Sequence, residues 1–173
     1  MFDQQQVTSH VIKGLILSLV IIIFGLIVYF TGQTTNKALG YVQYVLLMGG
    51  IIYSCILFSN QKNGEVSFGE VFSHGFKIAT VVAAITCVYT IVSLKFIFPE
   101  MIDIIMRESR KAMEEKKLSD ADIDNALQMM KNNFIPFAIA GILFMFALIG
   151  AISAAIGAAV AKKKPQNPFE NQA

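Results

Sequence analysis

Four long apolar stretches dominate the pattern of hydrophobic and polar residues along this chain. They cover about residues 11–31, 39–58, 75–98 and 135–161. Each reaches the roughly 20 apolar residues with which an α-helix crosses a bilayer. Such segments must be helical, because lipid offers no hydrogen-bond partners to an open backbone. The pattern predicts an all-α integral membrane protein with four transmembrane helices, forming a single membrane domain over residues 1–173.

The segment NGEVSFGEVFSHGFKIA, residues 63–79, joins the second and third stretches and predicts a capped helix entrance. Asn63 and Gly64 suit a turn, and Ser67 with Glu70 has the spacing of a capping box. One side of the following helix is apolar and the other polar, which predicts an interfacial amphipathic helix over residues 67–75 with a bend near its end. The apolar side holds Phe68, Val71, Phe72, Gly75, Phe76 and Ala79; the polar side holds Glu70, Ser73, His74 and Lys77, and Gly69 lies in the first turn.

Residues 99–134 are charged and helix-patterned, and they predict an extramembrane helical hairpin between spans three and four. Ser119 and Asp122 resemble a capping box for its second helix. The sequence DADIDN alternates acidic residues as a calcium loop does. However, Asn125 and Lys131 stand where that motif requires glycine and glutamate, so we expect a helix start instead of a calcium site.

Charge gives the expected orientation. Four spans place both termini on one side of the membrane, and the lysine block 162–164 directly follows the last span. The positive-inside rule then favours cytoplasmic termini, with a disordered basic tail over residues 162–173. The net charge of +2 provides no broad basic field, so we expect no nucleic-acid partner.

Candidate chemistry is sparse. The composition is 55% hydrophobic and 15% charged, and no catalytic motif stands out. The ionisable Lys13 lies near a span end, from which it is expected to snorkel to water. His10 and His74 are the candidate metal ligands, but they lack the close spacing of a metal site. We therefore expect no catalytic residue, no cofactor and no metal.

Small residues line the fourth span at helical spacing. They predict close helix packing, either within one chain, which we favour, or in a homo-oligomer. The two stripes comprise Gly150, Ala154 and Ala158, and Ser153, Gly157 and Ala161.

The chain resembles the family catalogued as domain of unknown function 4199. The resemblance is carried by NGEVSFGEVFSHGFK between spans two and three, LSDADIDNALQMMKNNF before span four, and IGAISAAIGAAVAKKK at its end. It implies a small four-span protein of the bacterial inner membrane, and it brings no activity and no catalytic residues.

These features predict a non-enzymatic accessory or interaction component of the bacterial inner membrane. Its expected partners are the lipid bilayer and a protein bound through the hairpin of residues 99–134. The alternative is a subunit of a small oligomeric transporter or channel, and a third option is a membrane enzyme without a recognisable motif. Intramembrane charges would favour the transporter, and clustered acids and histidines would favour the enzyme.

Overall fold

A computed structural model describes residues 8–164, which form six α-helices and no strand. The helices are α1 (His10–Phe30), α2 (Lys37–Gln61), α3 (Phe68–Val92), α4 (Met101–Glu115), α5 (Asp120–Asn132) and α6 (Phe134–Val160). A five-residue π-helical segment, Ser93–Ile97, extends α3. Of the predicted basic tail, only residues 162–164 fall within the described part of the chain.

Four of the helices are long and apolar enough to cross a membrane, which confirms the predicted all-α fold with four candidate spans. They are His10–Phe30, Lys37–Gln61, Phe68–Ile97 and Phe134–Val160. The third candidate span begins seven residues before the predicted start at residue 75, because α3 runs through Gly75 without interruption. Residues 68–75 are therefore part of the third long helix, and their place at the membrane interface stays a prediction.

The entrance to α3 follows the predicted capping chemistry. Asn63 and Gly64 adopt positive φ angles of 55° and 79° and reverse the chain after α2. The Glu70 carboxylate accepts hydrogen bonds from the Ser67 backbone N–H at 2.7 Å and from its hydroxyl at 2.9 Å. The Glu70 N–H in turn donates to the Ser67 hydroxyl at 3.2 Å. This reciprocal pair satisfies free donors of the first turn and confirms the capping box.

Contacts divide the chain into two compact units. Unit 1 comprises Met1–Ala83 and Phe146–Ala173, and unit 2 comprises Ala84–Met145. Unit 1 thus contains α1, α2, the first part of α3 and the second part of α6. Its core combines branched aliphatic side chains such as Ile51 and Ile78 with small ones such as Ala154 and Ala158, all with no measurable exposure.

Glycines bring the helices of unit 1 close together. A Cβ added to Gly75 would lie 2.5 Å from Cys55 Sγ, and one added to Gly157 would lie 2.7 Å from Cys55 Cβ. A Cβ at Gly150 would overlap Ala79. The small-residue stripes of α6 therefore pack against α2 and α3 within the chain, as expected for helices associating in lipid.

In unit 2, charged side chains join α4 and α5. The Arg110 guanidinium donates to the Asp124 carboxylate, and Lys131 Nζ lies 4.0 Å from Asp103. Ser119 caps α5 by accepting a hydrogen bond from the Asp122 N–H at 3.2 Å. No residue of α4 is buried, and Ile123 is the only buried residue of α5. The position of this helix pair outside the membrane stays a prediction.

Candidate functional site: a buried lysine–histidine cluster and a lysine strap

Lys13 lies inside unit 1 rather than at its surface. It shares the buried face of α1 with Gly14, Leu17, Ser18 and Ile21, and only 7% of the residue is exposed. Its expected snorkelling to water is therefore wrong. The buried residues of α1 recur at i, i+4 spacing, so they share one face of the helix. Gly14 on this face is the point where α1 approaches α3. Lys13, its direct neighbour, is therefore turned towards α2 and α3.

Three neutral acceptors surround the Lys13 ammonium. Its Nζ lies 3.4 Å from the Ser54 carbonyl oxygen, 3.4 Å from Gln61 Oε1 and 3.3 Å from His74 Nε2. Gln61 is itself held by Thr8, whose hydroxyl accepts from the Gln61 side-chain amide at 3.0 Å. No carboxylate lies within ion-pair distance of Lys13 in the described range, residues 8–164. Among the described residues, a protonated Lys13 is thus surrounded by neutral dipoles and the Phe58 ring rather than by an opposite charge, an expensive arrangement.

His74 is buried as well, with 7% of the residue exposed. Its ring stacks on Phe58, with centroids 4.1 Å apart and planes inclined by 12°. The edge of His10 approaches it, with centroids 6.2 Å apart. The polar side of α3 that was predicted to hold His74 thus turns this residue into unit 1. The buried face of α3 runs through Val71, His74 and Ile78 instead of through the phenylalanines.

The contact with Lys13 constrains the hydrogen-bond role of the His74 ring. A lysine ammonium can only donate, so the Nε2 atom facing Lys13 must accept. With Lys13 protonated, the contact requires a neutral imidazole that carries its proton on Nδ1. A protonated His74 ring would place a second positive charge 3.3 Å from the Lys13 ammonium. Since like charges this close disfavour each other, Lys13 and His74 together carry one positive charge rather than two.

A cavity of about 570 Å³ reaches this cluster. It combines an aromatic part, Phe58 and the two histidines, with a charged part, Glu70 and Lys77. Ser67, Gly69 and Ser73 complete its lining. His74 thus lies between the buried Lys13 and this open space.

The two candidate metal ligands, His10 and His74, do come close together. No group of three or more histidines, cysteines or acids that could hold a metal ion occurs among residues 8–164. The Nε2 atom of His74 also faces a lysine, whose charge repels a metal cation. Cys55 and Cys87 are both free thiols.

A second cluster lies where the chain leaves α6. We call residues 162–164 the lysine strap, because their backbone is bound across the turn between α2 and α3. The Ser59 hydroxyl donates to the Lys162 carbonyl oxygen, and the Lys164 N–H donates to the Gly64 carbonyl oxygen at 2.9 Å. Lys164 Nζ lies 3.1 Å from Glu65, and Lys163 Nζ lies 5.3 Å from the centre of the Phe68 ring.

A second cavity, of about 510 Å³, is lined by the strap together with Asn60, Asn63 and Gly64. The sequence predicted the turn and the lysine block separately. It gave no signal that joined them, because about one hundred residues lie between Glu65 and Lys164.

Comparison with known proteins identifies a family for this chain. The family model described as Protein of unknown function (DUF4199) matches residues 13–163, a range that includes Lys13, His74 and most of the lysine strap. No curated protein and no solved structure matches the chain. Since the matched range covers most of the sequence, the chain belongs to the DUF4199 family of proteins of unknown function.

Proposed function

We propose that this protein is a multi-pass protein of the bacterial inner membrane that acts by binding other molecules rather than by catalysing a reaction. Membrane insertion is supported by four long apolar helices. Both termini then lie in the cytoplasm, and α4 and α5 lie on the outer side. The lysine block 162–164, directly after the last span, supports this orientation.

The lysines near the chain termini have few acidic neighbours. Lys162 and Lys163 form no ion pair within the described range. In the α4–α5 segment, Arg110, Lys111 and Lys131 lie within 4.0 Å of acidic side chains, and Arg107, Lys116 and Lys117 form no ion pair among the described residues. The positive-inside rule counts the basic residues near the spans themselves, and the lysine block directly after α6 therefore favours the cytoplasm for this end of the chain.

The observation that carries the binding proposal is the surface of α4 and α5. The two helices are joined by charged groups, and this arrangement leaves Leu118 and Met129 exposed by 47% and 62%. The segment from residue 99 to 133 has eight acidic and six basic residues, which disfavours adsorption to anionic lipid. A protein partner with apolar contacts and a mixed-charge rim suits this surface.

Site-specific photo-crosslinking in living cells tests this proposal. A photoreactive phenylalanine analogue at Met129 should give one discrete adduct, which mass spectrometry identifies as a particular second protein. The matched control is Val45 on α2, which is 65% exposed and lies in an apolar span. Equal adduct patterns from the two positions, or no adduct from Met129, would refute the binding proposal.

The alternative function, a subunit of a small oligomeric transporter or channel, is favoured by one observation. Lys13 is an ionisable residue buried within a candidate span, beside a histidine that lines a cavity. Such residues are often found along ion and proton pathways. Proteoliposomes holding a pH-sensitive dye distinguish the two functions. Proton flux that disappears in Lys13→Met would favour the transporter, and equal flux in protein-free liposomes would dismiss it.

A further inference from the structure

Three phenylalanines form a ladder on the outer side of α3. The rings of Phe68 and Phe72 have centroids 6.3 Å apart, and those of Phe72 and Phe76 have centroids 6.1 Å apart. Their planes are inclined by only 12° and 7°. Phe68 and Phe76 are 49% and 37% exposed, so the ladder presents ring surface outward instead of filling the core of unit 1.

The lysine strap lies at the Phe68 end of this ladder. Lys163 Nζ is 5.3 Å from the centre of the Phe68 ring, within the range of a cation–π contact. The cavity beside it combines the amide side chains of Asn60 and Asn63 with the strap lysines. Ammonium and amide groups are donors suited to a phosphate group.

The two acidic residues that the structure describes beside the strap, Glu65 and Glu70, are already engaged. Glu65 pairs with Lys164, and Glu70 is bound by Ser67 and lies 3.8 Å from Lys62. Lys162 and Lys163 are left without a carboxylate partner among the residues that the structure describes, and both are exposed. The strap therefore carries surplus positive charge at a fixed place, because its backbone is bound to the turn between α2 and α3.

We propose that the strap and the ladder together form a binding site for one anionic phospholipid. The lipid phosphate lies in the cavity against Lys162 and Lys163, and an acyl chain lies along the phenylalanine rings. From Phe68 to Phe76 the ladder runs about 12 Å at 1.5 Å per residue, most of the ~15 Å of hydrocarbon in one leaflet. A free phosphate ion would use the cavity and leave the ladder uncovered, so the continuous polar and apolar surface favours the lipid.

The proposal is independent of the α4–α5 partner. It requires only that the helices lie in a bilayer. Loss of the Met129 adduct would leave the lipid site untouched, and loss of lipid binding would leave the protein partner untouched.

Native mass spectrometry of the full-length protein in detergent tests the site, with dioleoyl phosphatidylglycerol and dioleoyl phosphatidylcholine as probes. We expect one phosphatidylglycerol to bind in preference to phosphatidylcholine. The double variant Lys162→Gln/Lys163→Gln should lower that affinity about 25-fold, at roughly fivefold for each lysine near an anionic headgroup. The matched control is Lys116→Gln/Lys117→Gln, which removes the same charge from the α4–α5 turn and should leave binding unchanged.

The ladder is tested separately with Phe72→Ala. This variant should weaken the binding of dioleoyl phosphatidylglycerol and leave the binding of a short-chain, soluble phosphatidylglycerol unchanged. Equal effects of the two lysine pairs, equal binding of the two headgroups, or displacement of the lipid by millimolar inorganic phosphate with no effect of Phe72→Ala would each overturn the proposal. Circular dichroism confirms that each variant retains its helices before its lipid binding is compared.

Discussion

The Nζ atom of Lys13 lies 3.3 Å from the Nε2 atom of His74, although 61 residues separate the two in sequence. Both side chains are buried in unit 1, and the acceptors around the lysine are neutral groups. A buried charge without an opposite charge is costly and persists only where dipoles solvate it. The contact between Lys13 and His74 should therefore affect the free energy of unfolding.

We predict that Lys13 and His74 are energetically coupled. His74→Leu removes one of three acceptors from a buried ammonium and should lower the free energy of unfolding by about 1–3 kcal/mol. Lys13→Met replaces the cation with an apolar chain of similar length and should be neutral or stabilising. In the Lys13→Met background, His74→Leu should therefore cost at least about 1 kcal/mol less than it does alone.

Reversible unfolding in mixed detergent micelles, followed by circular dichroism, measures this double-mutant cycle. The stacking of His74 on Phe58 is lost in both backgrounds and cancels in the cycle. If the two substitutions are additive within about 0.5 kcal/mol, the hydrogen bond between Lys13 and His74 contributes nothing to stability.

A second prediction concerns the close packing at Gly75. In Gly75→Ala the new methyl group would lie 2.5 Å from Cys55 Sγ and 3.0 Å from Ala154 Cβ. Overpacking of this kind should lower the unfolding free energy by about 1–3 kcal/mol. Gly49→Ala is the matched control, because nothing lies within 4 Å of its added Cβ. That control should be stabilising by up to about 1 kcal/mol from helix propensity alone.

Both variants can be compared by the same unfolding measurement. Replacing Cys55 with alanine in the Gly75→Ala background should restore part of the loss, since it removes the nearer of the two clashing atoms. An equal stability change in Gly75→Ala and Gly49→Ala would show that the helices of unit 1 are not packed this closely.

The turn before α3 gives a third prediction. Gly64 has a φ of 79°, and its carbonyl oxygen accepts a hydrogen bond from the Lys164 N–H of the lysine strap. Gly64→Ala should cost about 1–2 kcal/mol because an L-residue is strained in this region. Asn63→Gly, at the neighbouring position with a φ of 55°, should cost little or nothing because glycine adopts this region readily. Thermal unfolding of the two variants measures the difference, and equal melting temperatures would rule out this backbone geometry.

The sequence predicted the spans well because hydrophobic length alone determines them. It predicted the entrance to α3 because Ser67 and Glu70 interact locally, over three residues. Lys13, in contrast, was misplaced. Its position near a span end suits snorkelling, and only the approach of Ser54, Gln61 and His74 from other helices reverses that expectation.

The sequence left the buried face of α3 unassigned for a different physical reason. In a soluble helix the phenylalanine side would face the core and the histidine side would face water. In lipid the surroundings are as apolar as a phenylalanine ring, so apolar periodicity does not identify the packed face. Small and polar residues pack inward instead, as Gly75 and His74 do.

The most direct test of the proposed arrangement is the membrane orientation of the two ends of the chain. In a background with Cys55→Ala and Cys87→Ala, single cysteines replace Glu115 in α4 and Glu170 near the C-terminus. We predict that a membrane-impermeant maleimide labels Glu115→Cys in cells with a permeabilised outer membrane. It should label Glu170→Cys only after the inner membrane is opened. Labelling of position 170 from outside, or protection of position 115 until the inner membrane is opened, would contradict the proposed four-span topology with cytoplasmic termini.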